Sequence, residues 1–257
     1  MKLQDLLENH FKNGEKLQDT YEVLELLNSD YSEAWKAFKE GKKLFRGLTV
    51  SINAFDSPFV SSTTDADRLS MHAAHRKKDS IYNSLFSKLL PSWKLYPKRN
   101  KSIICSNTYM IASDYGNVYH VFPINGTILG ECPSYDLWFS FDNALKDVRN
   151  LLYKICIELD EHKTKENIMI NNSITSLQHL DVVFTVIQKI FNITEDELLS
   201  KIVDGKKLID HLDDLLDPDQ NKFKKISISE IDMDKKHEYW FSGTCLYIDR
   251  ISLKELI

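Results

Sequence analysis

Apolar side chains recur at helical spacing at Leu3, Leu6, Leu7 and Phe11, and again at Leu17, Tyr21, Leu24 and Leu27, with Asn13-Gly14 as a turn between the two runs. Asp30 then precedes Tyr31, Ala34, Trp35 and Phe38, and Gly41 follows. The spacing predicts a third helix, capped by Asp30 and closed by the glycine. An aromatic stripe of this kind usually faces a core. Residues 44–52 read as a first strand, broken at Arg46-Gly47; 53–67, rich in Ser, Thr, Asp and Pro, read as a loop; 68–90 read as a helix that ends at Pro91.

The middle of the chain organises the rest. The apolar pair Ile103-Ile104 leads into the polar elbow Cys105-Ser106-Asn107, a helix-like turn covers 109–115, and after Gly116 an alternating run occupies 118–122. This is strand, elbow, short helix, strand, an order that puts a small hydroxyl at a strand end. A turn-rich connection with Gly126, Gly130 and two prolines follows over 123–133. Helical periodicity then dominates 137–159, 174–191 and 195–216, the last preceded by the cap Thr194 and interrupted at Gly205. Strand-like runs close the chain at 222–231 and 238–251, where Gly243 suggests a bulge. The fold class is α+β: helices over 1–41 support a strand-bearing domain over 42–257, which carries a helical insertion at about 137–219.

A chain of 257 residues with 42% hydrophobic content can bury a full core. The net charge of -5 argues against a generic nucleic-acid binder, but the charge is uneven. Between Arg68 and Lys101 nine basic residues face one acid, Asp79, leaving +8; between Thr194 and Asp219 nine acids face three lysines, leaving -6. The basic stretch includes Arg76, Lys77 and Lys78 and interleaves Trp93 and Tyr96 with Arg99 and Lys101, a mixture suited to stacking on a base, or equally to an aromatic cluster under a loop. The four cysteines are widely spaced with no CxxC pair, so reduced thiols are expected and no metal site is signalled. No HExxH, GxGxxG or GxxxxGK motif occurs. The start of the chain carries acids and has no long apolar run, so neither a secretory signal nor a membrane span is expected and the cytoplasm is the expected location.

Phe45-Arg46-Gly47, the Cys105-Ser106-Asn107 elbow with Ala112 and Tyr115-Gly116, and Glu238 near the start of a late strand stand in the order arginine, serine, glutamate. In that order the chain resembles the Arg/Ser/Glu class of mono-ADP-ribosyltransferases, over about half its length. The family usually has Ser-Thr-Ser at the elbow and often a second acid or amide two residues before its glutamate; here these are Cys-Ser-Asn and Lys236. The resemblance implies a split β-sheet core and NAD+ as substrate, with no metal. It assigns Glu238, Ser106 and Arg46 as catalytic, and Arg46, Gly47, Ser102, Ser106, Tyr115 and Arg99 as binding the dinucleotide, Ser102 competing with Ser106 for the serine role.

The chemistry suits those residue types. The glycosidic nitrogen of nicotinamide is already cationic in NAD+, so nicotinamide leaves neutral with no acid to protonate it, and the demand is for one carboxylate where ribosyl charge develops. An arginine can hold a pyrophosphate by forked hydrogen bonds. A Cys105 nucleophile would need a base, and His120 is the candidate on the adjoining strand. By family association the chain is expected to act as a toxin of an anti-phage or toxin-antitoxin system, with an antitoxin or inhibitor protein as partner, its acidic segment being a candidate partner face. The basic stretch before the elbow favours RNA as acceptor; Lys236 makes protein arginine the weaker choice. The alternatives are a protein-modifying transferase and a catalytically inactive binding protein of the same fold.

Overall fold

The computed structural model describes residues 17, 19–48, 58–62, 85–160 and 179–257. The helix expected over 3–11 and most of that over 68–90, with Arg68, Arg76, Lys77 and Lys78, lie outside them. Along the chain come α1 (Thr20–Asn28), α2 (Ser32–Lys39), β1 (Phe45–Leu48), β2 (Phe59–Ser62), β3 (Ile103–Ser106), α3 (Tyr109–Ser113), β4 (Asn117–Pro123) and β5 (Leu129–Glu131). They are followed by α4 (Asp142–Leu159), α5 (His179–Phe191), α6 (Glu195–Leu199), β6 (Ile202–Val203), β7 (Lys206–Lys207) and α7 (Leu208–Leu215). The chain ends with β8 (Lys224–Ile226), β9 (Glu238–Phe241), β10 (Thr244–Asp249) and α8 (Arg250–Leu256). The architecture is mixed α and β. It divides into two compact units, one of Met1–Arg76, Pro97–Glu131 and Lys225–Ile257, the other of Lys77–Tyr96 and Cys132–Lys224.

The first unit is built on a sheet of order β2-β10-β4-β1-β3-β9-β5-β8. Only Ser242 and Gly243 separate β9 from β10, yet three strands stand between them in that order. In a flat sheet four strand spacings would part them by about 19 Å, whereas the chain from Phe241 to Thr244 spans at most about 11 Å. The sheet therefore folds back on itself. The seam lies between β1 and β3, which share a single register pair, Phe45↔Ser106. β1 and β4 pair over four positions, and so do β3 and β9. Gly243, at φ +125, is the bend that lets one run serve both halves, where the sequence suggests a bulge within one strand.

The N-terminal helices pack into this unit's core. Asp19 caps α1 by accepting from the Tyr21 amide at 2.9 Å. The expected cap of α2, Asp30, is replaced by Tyr31, whose fully buried side chain anchors the helix start in the core. Gly41 closes α2 at positive φ as its position predicts. Trp35 and Phe38 stack at 5.4 Å and meet Phe122 edge-on. The region expected as a loop over 53–67 contains β2: Phe59 and Val60 are buried, and the strand adds to the edge of β10. Two such residues are too short a signal for periodicity to find.

The second unit holds α4 to α7 around stacked and edge-on contacts among Phe86, Trp93, Phe141 and Phe223. Trp93 and Tyr96 are buried there, and the Trp93 indole donates to the Leu216 carbonyl at 2.8 Å, so these rings are core and are not presented for stacking on a base. The helix expected over 195–216 is broken by a hairpin. Asp204 and Gly205 both adopt positive φ, at 49° and 80°, the two-residue turn that Asp-Gly favours. Acids of this segment are engaged locally: Asp213 accepts from the Ser92 amide and hydroxyl at 3.1 and 2.7 Å, Asp204 meets Lys154 at 2.5 Å, Asp214 pairs with Lys206, and Glu197 completes a capping box with Thr194.

In the first unit, α3 lies directly on β1. A Cβ on Gly47 would fall 2.0 Å from the Ala112 carbonyl oxygen and 3.0 Å from Tyr115 Cβ. Because the obstacle is helix backbone, Gly47→Ala should cost about 1–3 kcal/mol or more by displacing α3. A denaturant midpoint unchanged from the native chain would contradict this packing.

Candidate functional site

Among the described residues, seven of the nine buried polar or charged side chains, Arg99, Ser102, Ser106, Asn107, Glu131, His237 and Glu238, belong to β3, β5, β9 and the segments that flank them. Such groups remain buried only when paired, and here all but Ser102 pair with one another, Ser102 bonding the Lys98 carbonyl and Ser242 instead.

Ser106 and Glu238 are direct register partners on neighbouring strands, so the two side chains share a face of the sheet. Glu238 receives both guanidinium nitrogens of Arg99, Nη1 on Oε1 and Nη2 on Oε2 at 3.2 Å, with the two side chains 8% and 11% exposed. Arg99 starts from a 3-10 turn at Arg99–Lys101 and passes over the Trp240 ring, 5.8 Å from its centroid. Trp240 is held by its indole donating to the Pro97 carbonyl at 2.8 Å, and it lies flat against Gly130, where a Cβ would come within 2.4 Å of the ring. Sequence reading placed Arg99 with the dinucleotide; its pairing with Glu238 arises from residues 139 positions apart and left no local trace.

Asn107 locks the elbow to the segment before β9. Its amide nitrogen donates to the Asp232 and Lys235 carbonyls at 2.6 Å each, and its oxygen accepts from the His237 amide at 3.1 Å. Ser106 Oγ accepts from the Thr108 amide at 3.1 Å and donates to the His237 carbonyl at 3.3 Å. Ser102, the competing serine, sits at the other end of β3, bonded to the Lys98 carbonyl at 2.8 Å and 3.2 Å from the Ser242 hydroxyl. Geometry therefore brings Ser106, and not Ser102, alongside Glu238.

Arg46 is one residue beyond Phe45, the register partner of Ser106, and so leaves β1 on the side away from Ser106 and Glu238. Its charge acts on Cys105, Cys245 and Tyr247, and its Nη1 is buried with no hydrogen-bond partner among the described residues. Gly47 and Tyr115 meet each other under α3, with Tyr115 half exposed. Cys105 is fully buried and its thiol is pushed up to about 12 by that burial. His120 shares the face of Phe45 and Ser106, opposite Cys105, with its ring 4.8 Å from Phe45. A Cys105–His120 nucleophile pair is thereby ruled out.

A second polar group escaped sequence reading. Glu131 accepts from His237 Nδ1 at 2.8 Å and from the Tyr239 hydroxyl at 3.2 Å, and Tyr239 is its register partner. Burial, with Glu131 alongside, drives the Tyr239 hydroxyl far above its ordinary range and keeps it a donor. The signal available in sequence was Glu131 two residues before a proline-bounded turn, which is too common to single out.

No group of three or more His, Cys, Asp or Glu side chains among the described residues is placed to hold a metal, and no helix among them is long and apolar enough to cross a membrane. All four cysteines are buried. No protein-family model, curated protein or solved structure matches the chain.

Replacing Asn107 by Ala leaves two carbonyls and an amide without partners and should cost on the order of 2–3 kcal/mol, read from chemical denaturation. Stability should also fall on acidification. Burial, then Lys43 and Arg250, lower His120 to about 4, so the unfolded chain binds a proton there before the folded chain does. His120 thus contributes stability that is complete above the ordinary imidazole range and is lost as pH falls towards about 4. In His120→Gln the stability against pH should be flatter over that window; an identical slope would contradict the account.

Proposed function

We propose that this protein transfers ADP-ribose from NAD+ to a macromolecular acceptor, at a site formed by Glu238, Ser106 and Arg99. The observation that carries the reading is the side-by-side placement of Ser106 and Glu238, from segments 132 residues apart, on adjacent central strands beside the sheet seam. The carboxylate stabilises the cation that develops on the ribose as the bond from its anomeric carbon to the nicotinamide nitrogen breaks and the electron pair leaves with nicotinamide. Ser106 supplies a small hydroxyl next to it. Arg99 is the cation at this site in the place that the resemblance gave to Arg46, and its guanidinium suits a pyrophosphate.

The acceptor in this proposal is RNA. The support is charge: Lys98 and Lys101 are exposed on either side of Arg99, within the +8 stretch that leads into β3. A role as a toxin held by an inhibitor protein belongs to the same proposal. A second reading, a binding protein of this fold without turnover, is favoured by the Arg99–Glu238 pair itself, because both carboxylate oxygens are occupied.

The test is release of nicotinamide from labelled NAD+, followed by nuclease or protease digestion of the labelled product. Glu238→Gln should lower release by on the order of a hundredfold or more. That substitution leaves Arg99 buried without its counter-charge, a loss of roughly 3–5 kcal/mol, so the double variant Arg99→Gln with Glu238→Gln serves as the folded control and should be equally inactive. Nicotinamide release near the native rate in Glu238→Gln removes the carboxylate role. Label that resists nuclease and yields to protease makes the acceptor protein, and no release by the native chain leaves the binding-protein reading.

A further inference from the structure

The imidazole of His120 serves neither the strand ladder nor the transferase site proposed above. Its ring meets Phe38 edge-on at 5.4 Å and Phe45 at 4.8 Å, and its Nδ1 is buried with no hydrogen-bond partner among the described residues. A ring nitrogen left in that state is costly. His120 lines a cleft of about 200 Å³, open mouth included, whose walls are apolar at Phe38, Phe122 and Ile228 and whose polar side chains are His120, Lys42 and Lys43. The enclosed floor has room for about one oxygen atom. The charges around the ring are unbalanced. Lys43, just before β1, and Arg250, the first residue of α8, both bear on it as cations, and neither forms an ion pair with a described residue. The Lys43 ammonium lies over the Phe38 ring at 5.6 Å, the Lys42 ammonium donates to the Ile231 carbonyl at 3.0 Å, and Arg250 is exposed. Asp249, the acid that bears on the ring, is spent on α8, accepting from the Ile251 amide at 2.6 Å and from the Ser252 amide and hydroxyl at 3.0 and 2.6 Å. Burial, then the two cations, keep the imidazole neutral down to about 4, so at neutral pH it carries one hydrogen, which Nδ1 can hold.

We infer that this cleft is a binding site for a phosphate group, one of whose oxygens enters the floor and accepts from His120 Nδ1 while Lys43 and Arg250 balance its charge. Two cations match a phosphate dianion, whereas a carboxylate would balance only one of them. Water is the poorer occupant, because the walls are apolar and a buried water needs two or more polar partners. The inference stands apart from the transferase reading. His120 is two strands away from Ser106, with Phe45 the register partner of both, and Glu238, Ser106 and Arg99 take no part in the cleft.

The test follows the imidazole nitrogen signals of His120 by NMR at neutral pH while inorganic phosphate is added at constant ionic strength, with chloride as the control. The signals are assigned by their loss in His120→Phe, which keeps a ring against Phe38 and Phe45 and deletes Nδ1. Phosphate should move them saturably, and chloride should not. Lys43→Ala and Arg250→Ala should each weaken phosphate about tenfold, as should His120→Phe when binding is read by calorimetry. Arg250 is exposed, so its variant tests the site even if His120→Phe folds poorly. Lys36→Ala, an exposed lysine of α2 that does not line the cleft, should bind phosphate as the native chain does. Ribose 5-phosphate is the second arm: binding at least as tight as that of inorganic phosphate makes the occupant an organic phosphate, and weaker binding makes it the free ion. Signals unmoved by phosphate, equal movement with chloride, or native affinity in both Lys43→Ala and Arg250→Ala overturns the site, whatever nicotinamide release shows.

Discussion

A carboxylate and a guanidinium sit side by side out of water where β3 and β9 meet, and much of the surrounding structure follows from keeping them there. Charges taken from water persist only when their partners satisfy them geometrically. Glu238 obtains this from the forked contact with Arg99, and Arg99 obtains it by lying along the Trp240 ring. Trp240 in turn requires a neighbour with no side chain, which is Gly130, and an acceptor for its indole, which is the Pro97 carbonyl. Each link is short and specific, and together they tie the 3-10 turn at Arg99–Lys101 to three strands.

The end of the β3–β9 ladder explains why polar side chains gather here. Pairing stops at Ser106↔Glu238, so the backbone entering β9 is not met by strand pairing, and side chains take over. Asn107 does this for two carbonyls and one amide, and Ser106 for one of each. The same clamps fix the chain entering β9, which is where Glu238 and His237 stand. A substitution at the elbow therefore disturbs the clamps and the strand start that they fix together.

The two carboxylates of the region are placed on opposite sides of one strand, with different companions. Glu238 faces an arginine; Glu131 faces a histidine and a tyrosine. An arginine remains charged at any pH the fold survives, so the first pair is a fixed element. The second is a pair of hydrogen bonds onto one carboxylate, from a ring nitrogen at 2.8 Å and a hydroxyl at 3.2 Å, and it is fixed by direction more than by charge.

Local pattern in the chain determined a good deal. The helices over 20–28, 32–39, 142–159 and 179–191 follow from periodic apolar positions, and the elbow, short helix and strand from 103 to 123 stand in the expected order. Ser106, Glu238 and Arg99 were named as candidates from residue order and type, and the folded chain puts the three side by side. Local pattern did not show the short edge strand β2, whose burial comes from β10, or the Asp204-Gly205 hairpin, whose flanks are two residues long. It also did not show which side of β1 Arg46 leaves, which serine neighbours Glu238, that Trp93 and Tyr96 are core, or that Glu131 and His237 meet. All of these depend on pairings between residues far apart in the chain. Period and propensity report how a segment buries its own face, whereas register across a sheet decides which distant side chains share a face, and only the folded backbone sets that register.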